Sequence, residues 1–351
     1  MKTVFSTLLF AMVFIMATQP ANAKIRRVGY WGTPITNTDY ADLQSAHDAA
    51  AAGDTLLIFP NPSGWSATYS KKLVTLGYGY FTDTASLGTQ ANPDLQNIKG
   101  ALSISIALAA GSSNCTFEGL EGIYIYGDNS GATLTGIIIR RCHGSVQLHV
   151  NNVQSGWQIL QSYLESLYLD YYGTGGTISN LTVNNSYIGY LYGSASGTAA
   201  KQSGQFNNCI FNYTDFGNGS FILKNNIFAY GNPQINDVNC VYQYNLFATD
   251  FSTVPSGTGN LGIDYSSMTT NVFVGFDTQG TYSNDGMWAL KAGSPAKGKG
   301  QGGIDMGIYG GANPYKLSGI PRIPAIYKLT APSTTTSGNP YTITLSVRSN
   351  N

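Results

Sequence analysis

Charge is what this chain has least of. Its 351 residues include only 18 Lys and Arg and 18 Asp and Glu, 10% of the total, against roughly 25% in an average soluble domain. With no basic excess there is nothing to replace counterions along a phosphate backbone, and nucleic acid is excluded as a partner. After the first 23 residues no stretch is long and apolar enough to span a bilayer. Disorder is excluded too, because 42% of the residues are apolar and the formal charge is zero. Glycine and tyrosine are what the chain has in plenty, 42 and 24 residues. It is therefore a folded, weakly charged chain whose solubility rests on uncharged polar groups.

Residues 1–23 read as a secretory signal: Lys2, an apolar run over 4–17, and the small-residue site Ala21-Asn22-Ala23. No Cys follows the cleavage point, so a lipid anchor is not indicated, and the expected location is extracellular, periplasmic or on the cell surface. The remainder is long for one compact domain, but a repetitive architecture reaches that length as one unit.

A repeat is present. The apolar residues closing successive short strands are Phe117, Ile139, Ile159, Val183, Phe206, Leu223 and Tyr242, at steps of 22, 20, 24, 23, 17 and 19. Three residues after each comes a mostly small or polar position: Leu120, Cys142, Ser162, Ser186, Cys209, Asn226, Asn245. Asn recurs just before it, at Asn185, Asn208 and Asn225. A period near 21 with alternation and turn residues, and almost no helical pattern, has few solutions. Leucine-rich repeats share the period but need a leucine grid that is missing. A parallel β-helix fits, with turns stacked at about 4.8 Å and equivalent residues forming ladders inside.

Before the coils, residues 39–52 read as a short amphipathic helix ended by Gly53, able to cap the open end of the stack. His47 on it reads as solvated. Strands are expected over 54–60 and 72–76. Here the chain resembles the secreted right-handed parallel β-helix proteins of the pectin-lyase-like superfamily. The resemblance rests on Asp42-Leu43-Gln44-Ser45-Ala46 leading to Ala52-Gly53-Asp54-Thr55-Leu56, and on Gly119-Leu120 opening the coils. Gly293-Ser294-Pro295-Ala296 and Gly303-Ile304-Asp305-Met306-Gly307 add to it near the last coils. The expected organisation is a signal over 1–23, a β-helix with N-terminal cap over 24–312, and a small C-terminal β extension over 313–351. In the last, Ile343, Leu345 and Val347 alternate on one face, as a cap or an attachment segment would use them.

The repeat also bears on the four cysteines. Cys142 and Cys209 share an inward position three coils apart, about 14 Å, and Cys115 and Cys240 share another six coils apart, about 29 Å. A disulfide needs Cα atoms within about 7 Å. Four buried free thiols are expected.

The outward residues of the strands after the small position are rich in tyrosine. One ladder is expected to run Tyr124, Gln147, Tyr168, Tyr190, and the next Tyr126, His149, Asp170, Tyr192, over inward Ile125, Leu148, Leu169 and Leu191. Aromatic faces stack on the apolar faces of sugar rings and hydroxyl tips bond sugar hydroxyls. His149 one strand from Asp170 is suited to acid–base work. The plainer reading is that Tyr is a good strand former and His149–Asp170 a surface pair.

Arg140, Arg141 and His143 form a second cluster. The resemblance implies a lyase in which a basic residue is the base and Arg or Ca²⁺ neutralises a uronate, here Arg140 or Arg141. Against it stands a plain Arg140–Glu118 pair across adjacent strands. The family's stronger signatures are missing: there is no Trp-Ile-Asp-His run, and Asn37-Thr38-Asp39 and Cys142-His143-Gly144 match pectin-hydrolase motifs only in part. No three outward acids sit on neighbouring coils, so no cofactor is expected and Ca²⁺ has no clear site. The reading is a monomeric, exported β-helix that binds extracellular polysaccharide and, if an enzyme, is a lyase before a hydrolase. The alternative is a non-enzymatic cell-surface, adhesion or structural β-helix.

Overall fold

The computed structural model describes residues 23–29, 36–61, 63–81, 103–128, 130–148, 153–169, 176–193, 202–230, 239–250, 253–276, 281–332, 334 and 342–348. The coils within it share one plan. A short strand sends its middle residue inward, one residue takes the left-handed conformation, a small residue enters the interior, and a second strand leaves in a new direction. Phe117, Ile139, Ile159, Val183, Phe206, Leu223 and Tyr242 are direct partners in succession, as their spacing predicts. Parallel pairing between turns builds a 13-stranded and a 10-stranded sheet, a parallel β-helix of about seven turns.

The corner between the sheets explains the recurring asparagine. Gly119 (φ 70°), Arg141 (50°), Gln161 (51°), Asn185 (50°), Asn208 (53°), Asn225 (58°) and Tyr244 (54°) all occupy it. Asn tolerates this conformation better than other side chains. Arg141 and Gln161 lack that tolerance, and such strain costs about 1–3 kcal/mol per residue. Their side chains offset it with bonds that only this geometry allows. Arg141 Nε donates to Gln161 Oε1 at 3.0 Å and Nη1 to the Ile320 carbonyl at 2.8 Å, and Gln161 Nε2 donates to the Pro314 carbonyl at 2.6 Å.

Just past the corner the backbone needs acceptors inside the core, and the small position supplies them. Cys142 N–H donates to Ser162 Oγ (3.2 Å), and Ser162 N–H to Ser186 Oγ (3.1 Å). Further along, Cys209 N–H donates to Asn226 Oδ1 (2.7 Å), Asn226 N–H to Asn245 Oδ1 (2.9 Å) and Asn245 N–H to Asn260 Oδ1 (3.0 Å). Buried groups without such partners are costly. All four cysteines are free. Burial pushes the thiols of Cys142 and Cys209 up to about 12, so both remain protonated. Cys240 departs from expectation in being only half-buried, because it precedes the strand that ends the first sheet.

At the N-terminal end, the helix Leu43–Ala49 buries Leu43 and Ala46, with Asp42 as its cap. It is shorter than expected, since Asp39–Tyr40 instead pairs with the strand Ile25–Val28, helped by Arg27 Nη2 donating to Asp39 Oδ2 at 2.7 Å. His47 is not solvated but only 2% exposed. Its Nε2 accepts Ser70 N–H at 3.1 Å, and Gln44 Oε1 accepts Thr68 N–H at 2.8 Å. Trp65–Tyr69 is the terminal strand of the second sheet, so the cap satisfies edge groups as well as covering the core.

At the other end the chain turns back. Outward-facing Tyr187, Ile210, Ile227 and Leu246 are buried under Met268, Phe273, Trp288 and Ile308. The strap then runs along the corner against the stacking direction. Gln301 N–H bonds Asn225 Oδ1 (2.8 Å), Asn208 Nδ2 the Asp305 carbonyl (3.1 Å), and Asn185 Nδ2 the Ile308 carbonyl (2.9 Å). It continues across the expected boundary at 312/313 as far as Arg322, whose N–H bonds Glu118 Oε1 at 2.8 Å. Beyond it, Ala325–Thr330 and Thr344–Arg348 form an antiparallel hairpin, the small β extension.

Under the strap lies a buried carboxylate. Asp285 Oδ2 accepts Ser318 N–H at 2.6 Å and the Tyr315 hydroxyl at 3.3 Å, and Tyr315 also bonds Tyr80. Burial raises the Asp285 pKa above the usual carboxylate range. The folded state thus holds its proton more tightly than the unfolded chain, so Asp285 favours folding most at low pH. That contribution is lost as pH rises from about 3.9, the unfolded value, through the folded one. Relative to Asp285→Asn, the wild-type Tm should fall across that window and then level off; a relative rise with pH would show an ionised, stabilising Asp285.

The interior ladder is equally testable. Asn226 also donates to the Phe206 carbonyl at 2.9 Å, so Asn226→Ala strands at least two buried backbone groups and should cost about 3 kcal/mol in denaturant melts. Gln205→Ala, on the exposed side of the preceding coil, should stay within about 0.5 kcal/mol.

Candidate functional site

The second sheet has an outer face that the strap covers only along its first column. Two further columns are open. One reads Tyr124, Ser145, Ser166, Tyr190, Tyr213, and the other Tyr126, Gln147, Tyr168, Tyr192, Asp215. Tyr190 is 47% exposed, Tyr124 38% and Tyr213 37%. Tyr168 and Tyr192 stack at 5.1 Å with planes 9° apart, and Tyr190 and Tyr213 extend this group at 5.9–6.1 Å. Tyr124 and Tyr126 stack at 4.9 Å as a second group. Gln147, largely buried, joins the two by accepting the Tyr124 hydroxyl. The five strands from Ile123–Gly127 to Ile210–Asp215 carry this surface over about 19 Å at the strand spacing.

These columns correct the expected register. Tyr124 lies opposite Ser145 rather than Gln147, and Tyr168 opposite Tyr192 rather than Tyr190. Inside, Ile125 is followed by Val146, Leu167 and Leu191, while Leu148 and Leu169 stack two residues further on. Fixed steps fail because the coils reach the face after different lengths. Ser145 comes four residues after its corner at Arg141, whereas Tyr124 and Ser166 come five after theirs. The additional residue in the later coils makes a bulge at Glu165. Gly189 sits against it, where an added Cβ would lie 2.7 Å from the Glu165 carbonyl. Tyr213 and Asp215 belong to the face but are absent from the expected ladders. The 23-residue step from Tyr190 to Tyr213 was the available signal.

His149 and Asp170 lie outside the described residues. An imidazole–carboxylate pair does border the face elsewhere: His143 Nε2 is 3.3 Å from Glu165 Oε1. The His143 hydrogen bond is the main reason Glu165 lies below the usual carboxylate range. The ring packs among Phe81, Tyr80 and Tyr163 at 4.6–5.7 Å. Burial pushes the Tyr163 hydroxyl up to about 12.

His143 is therefore not part of one cluster with Arg140 and Arg141, because the corner puts it on the other sheet. Arg140 pairs with Glu118 across adjacent strands at 3.3 Å. Arg141, 2% exposed, lies beneath the strap. Among the described residues no three His, Cys, Asp or Glu side chains converge as a metal site would require, and no helix is long and apolar enough to cross a membrane. No protein-family model, curated protein or solved structure matches the chain.

Proposed function

We propose that this protein is an exported β-helix of the pectin-lyase-like kind that binds extracellular polysaccharide across its tyrosine face. The observation that carries the reading is the paired stacking of Tyr168 on Tyr192 beside exposed Tyr190 and Tyr213. Tyrosines spend a large apolar area on solvent here, and the rings leave faces and hydroxyls to meet sugars. Successive coils repeat at about 4.8 Å, close to the length of one sugar residue in an extended chain. A glycan lying along the stack thus meets a new ring or hydroxyl at each coil. Among the described residues few charges border the face, chiefly Glu165 and Asp215, which suits a neutral or mildly acidic glycan. The double variant Tyr168→Ala/Tyr192→Ala should reduce retention on polysaccharide affinity gels by about tenfold or more. A broad glycan array on which the wild type binds nothing would sink the reading.

If the chain also cleaves its ligand, lyase chemistry is the form proposed, with His149 and Asp170 as the pair to replace first. The assay is a panel of uronic-acid polymers, followed by the ultraviolet absorbance of the new double bond.

One observation favours a second reading, a surface protein attached through its C-terminal segment. Ile343, Leu345 and Val347 are each about half exposed on the terminal hairpin, and a two-stranded hairpin with an open apolar row gains from a partner surface. Truncation after residue 324, which spares the strap, should release the protein from cell-surface fractions. Unchanged retention rejects attachment by this segment.

A further inference from the structure

On the other side of the corner from the tyrosines lies a cleft of about 610 Å³. Its floor is the outer edge of the first sheet, including Glu118, Arg140 and Asn184, and its wall is the strap around Asn313, Lys316 and Arg322. The volume falls within the range of small-molecule sites, about 300–1,000 Å³, and exceeds what a lone ion requires.

The charges lining it do not balance. Among the described residues lining it, Arg140, Arg141, Lys316 and Arg322 face a single carboxylate, Glu118. That carboxylate is 4% exposed and heavily engaged. It accepts from Arg140 Nη1 at 3.3 Å, from Arg322 N–H at 2.8 Å and from Arg322 Nε at 3.2 Å. Burial holds Arg141 below the usual guanidinium range, Glu118 opposes this, and the neighbouring charges of Arg322 and Arg140 add to it. Fastening the strap accounts for Arg141 and Arg322, both of which bond across it. It does not account for Lys316, whose side chain is exposed at the cleft, nor for the open volume. Guanidinium and ammonium groups around a partly enclosed space suit an oxyanion, whose charge-assisted bonds are about twice as strong as neutral ones.

We infer that this cleft binds a small anionic ligand, its carboxylate, sulfate or phosphate group held by Arg140 and Lys316. The site is separate from the tyrosine face in both residues and chemistry. A ligand here relieves cation crowding at the very place where the strap is tied to Glu118, so binding should also raise the resistance of the strap to opening.

The test is calorimetric titration of the full chain, at constant ionic strength, with glucuronate, inorganic sulfate, inorganic phosphate and neutral glucose. At least one of the three anions should bind saturably, and glucose should not. Which anion binds distinguishes a sugar acid from a sulfate or phosphate group. Lys316→Gln and Arg140→Gln should each weaken that binding about tenfold. Lys316→Gln, at an exposed side chain, should leave the ligand-free Tm unchanged and so keeps the test open if Arg140→Gln unfolds. Saturation by none of the anions, equal binding of glucose, or undiminished affinity in Lys316→Gln would overturn the inference. Tyr168→Ala/Tyr192→Ala should leave anion binding intact, so the two readings fail independently.

Discussion

A parallel β-helix has to change direction several times in every coil without leaving buried backbone groups unpaired, and here the tightest change is made by one left-handed residue. That single residue rotates the chain from the first sheet to the second. The N–H just beyond it then points along the stack, where only the next coil can answer it. Small inward side chains with an oxygen solve the problem, as Ser162, Ser186, Asn226, Asn245 and Asn260 do. Corner and ladder depend on each other, because without the left-handed residue the acceptor would not sit one coil above its donor.

The same corner shapes the exterior. A left-handed residue turns its side chain outward, so the corner column presents Arg141, Gln161, Asn185, Asn208 and Asn225 in a row. Their amides and guanidinium meet the backbone of residues 301–320, which has no sheet of its own to satisfy it. Five coils are thereby tied by one segment, and the apolar start of the second sheet is covered. Long-range ties of this kind matter in a solenoid, where each coil otherwise contacts only its neighbours. The strap also divides the surface: uncharged aromatic columns remain open on one side, and on the other a cleft is lined by the side chains that fasten the strap.

Much of this was legible in residue spacing. The partners from Phe117 to Tyr242 and the small column from Cys142 to Asn245 are as spacing predicts, because both lie within a few residues of the corner, where coils cannot vary in length. Farther along the coil that constraint weakens. A bulge at Glu165 and a shorter approach after Arg141 shift the outer tyrosines relative to one another, and in a strand one residue moves a side chain to the opposite face. Equal steps therefore gave the right residue type on the face and the right pairing of Gln147 with Tyr168, but the wrong neighbours for Tyr124 and Tyr190.

The sequence by itself determined that successive coils stack in parallel, which residues fill the core, and that the outer face would be aromatic, since each follows from local alternation and a repeated turn. The tertiary structure alone decided that Tyr168 stacks on Tyr192, that His143 faces Glu165 and that His47 closes the end of the stack. It alone brought Arg141 and Arg322 to the lining of one cleft. Those pairings join residues 22 to 181 positions apart through a strap, a bulge and a cap. No periodic pattern records such contacts, because they arise once in the chain rather than once per coil.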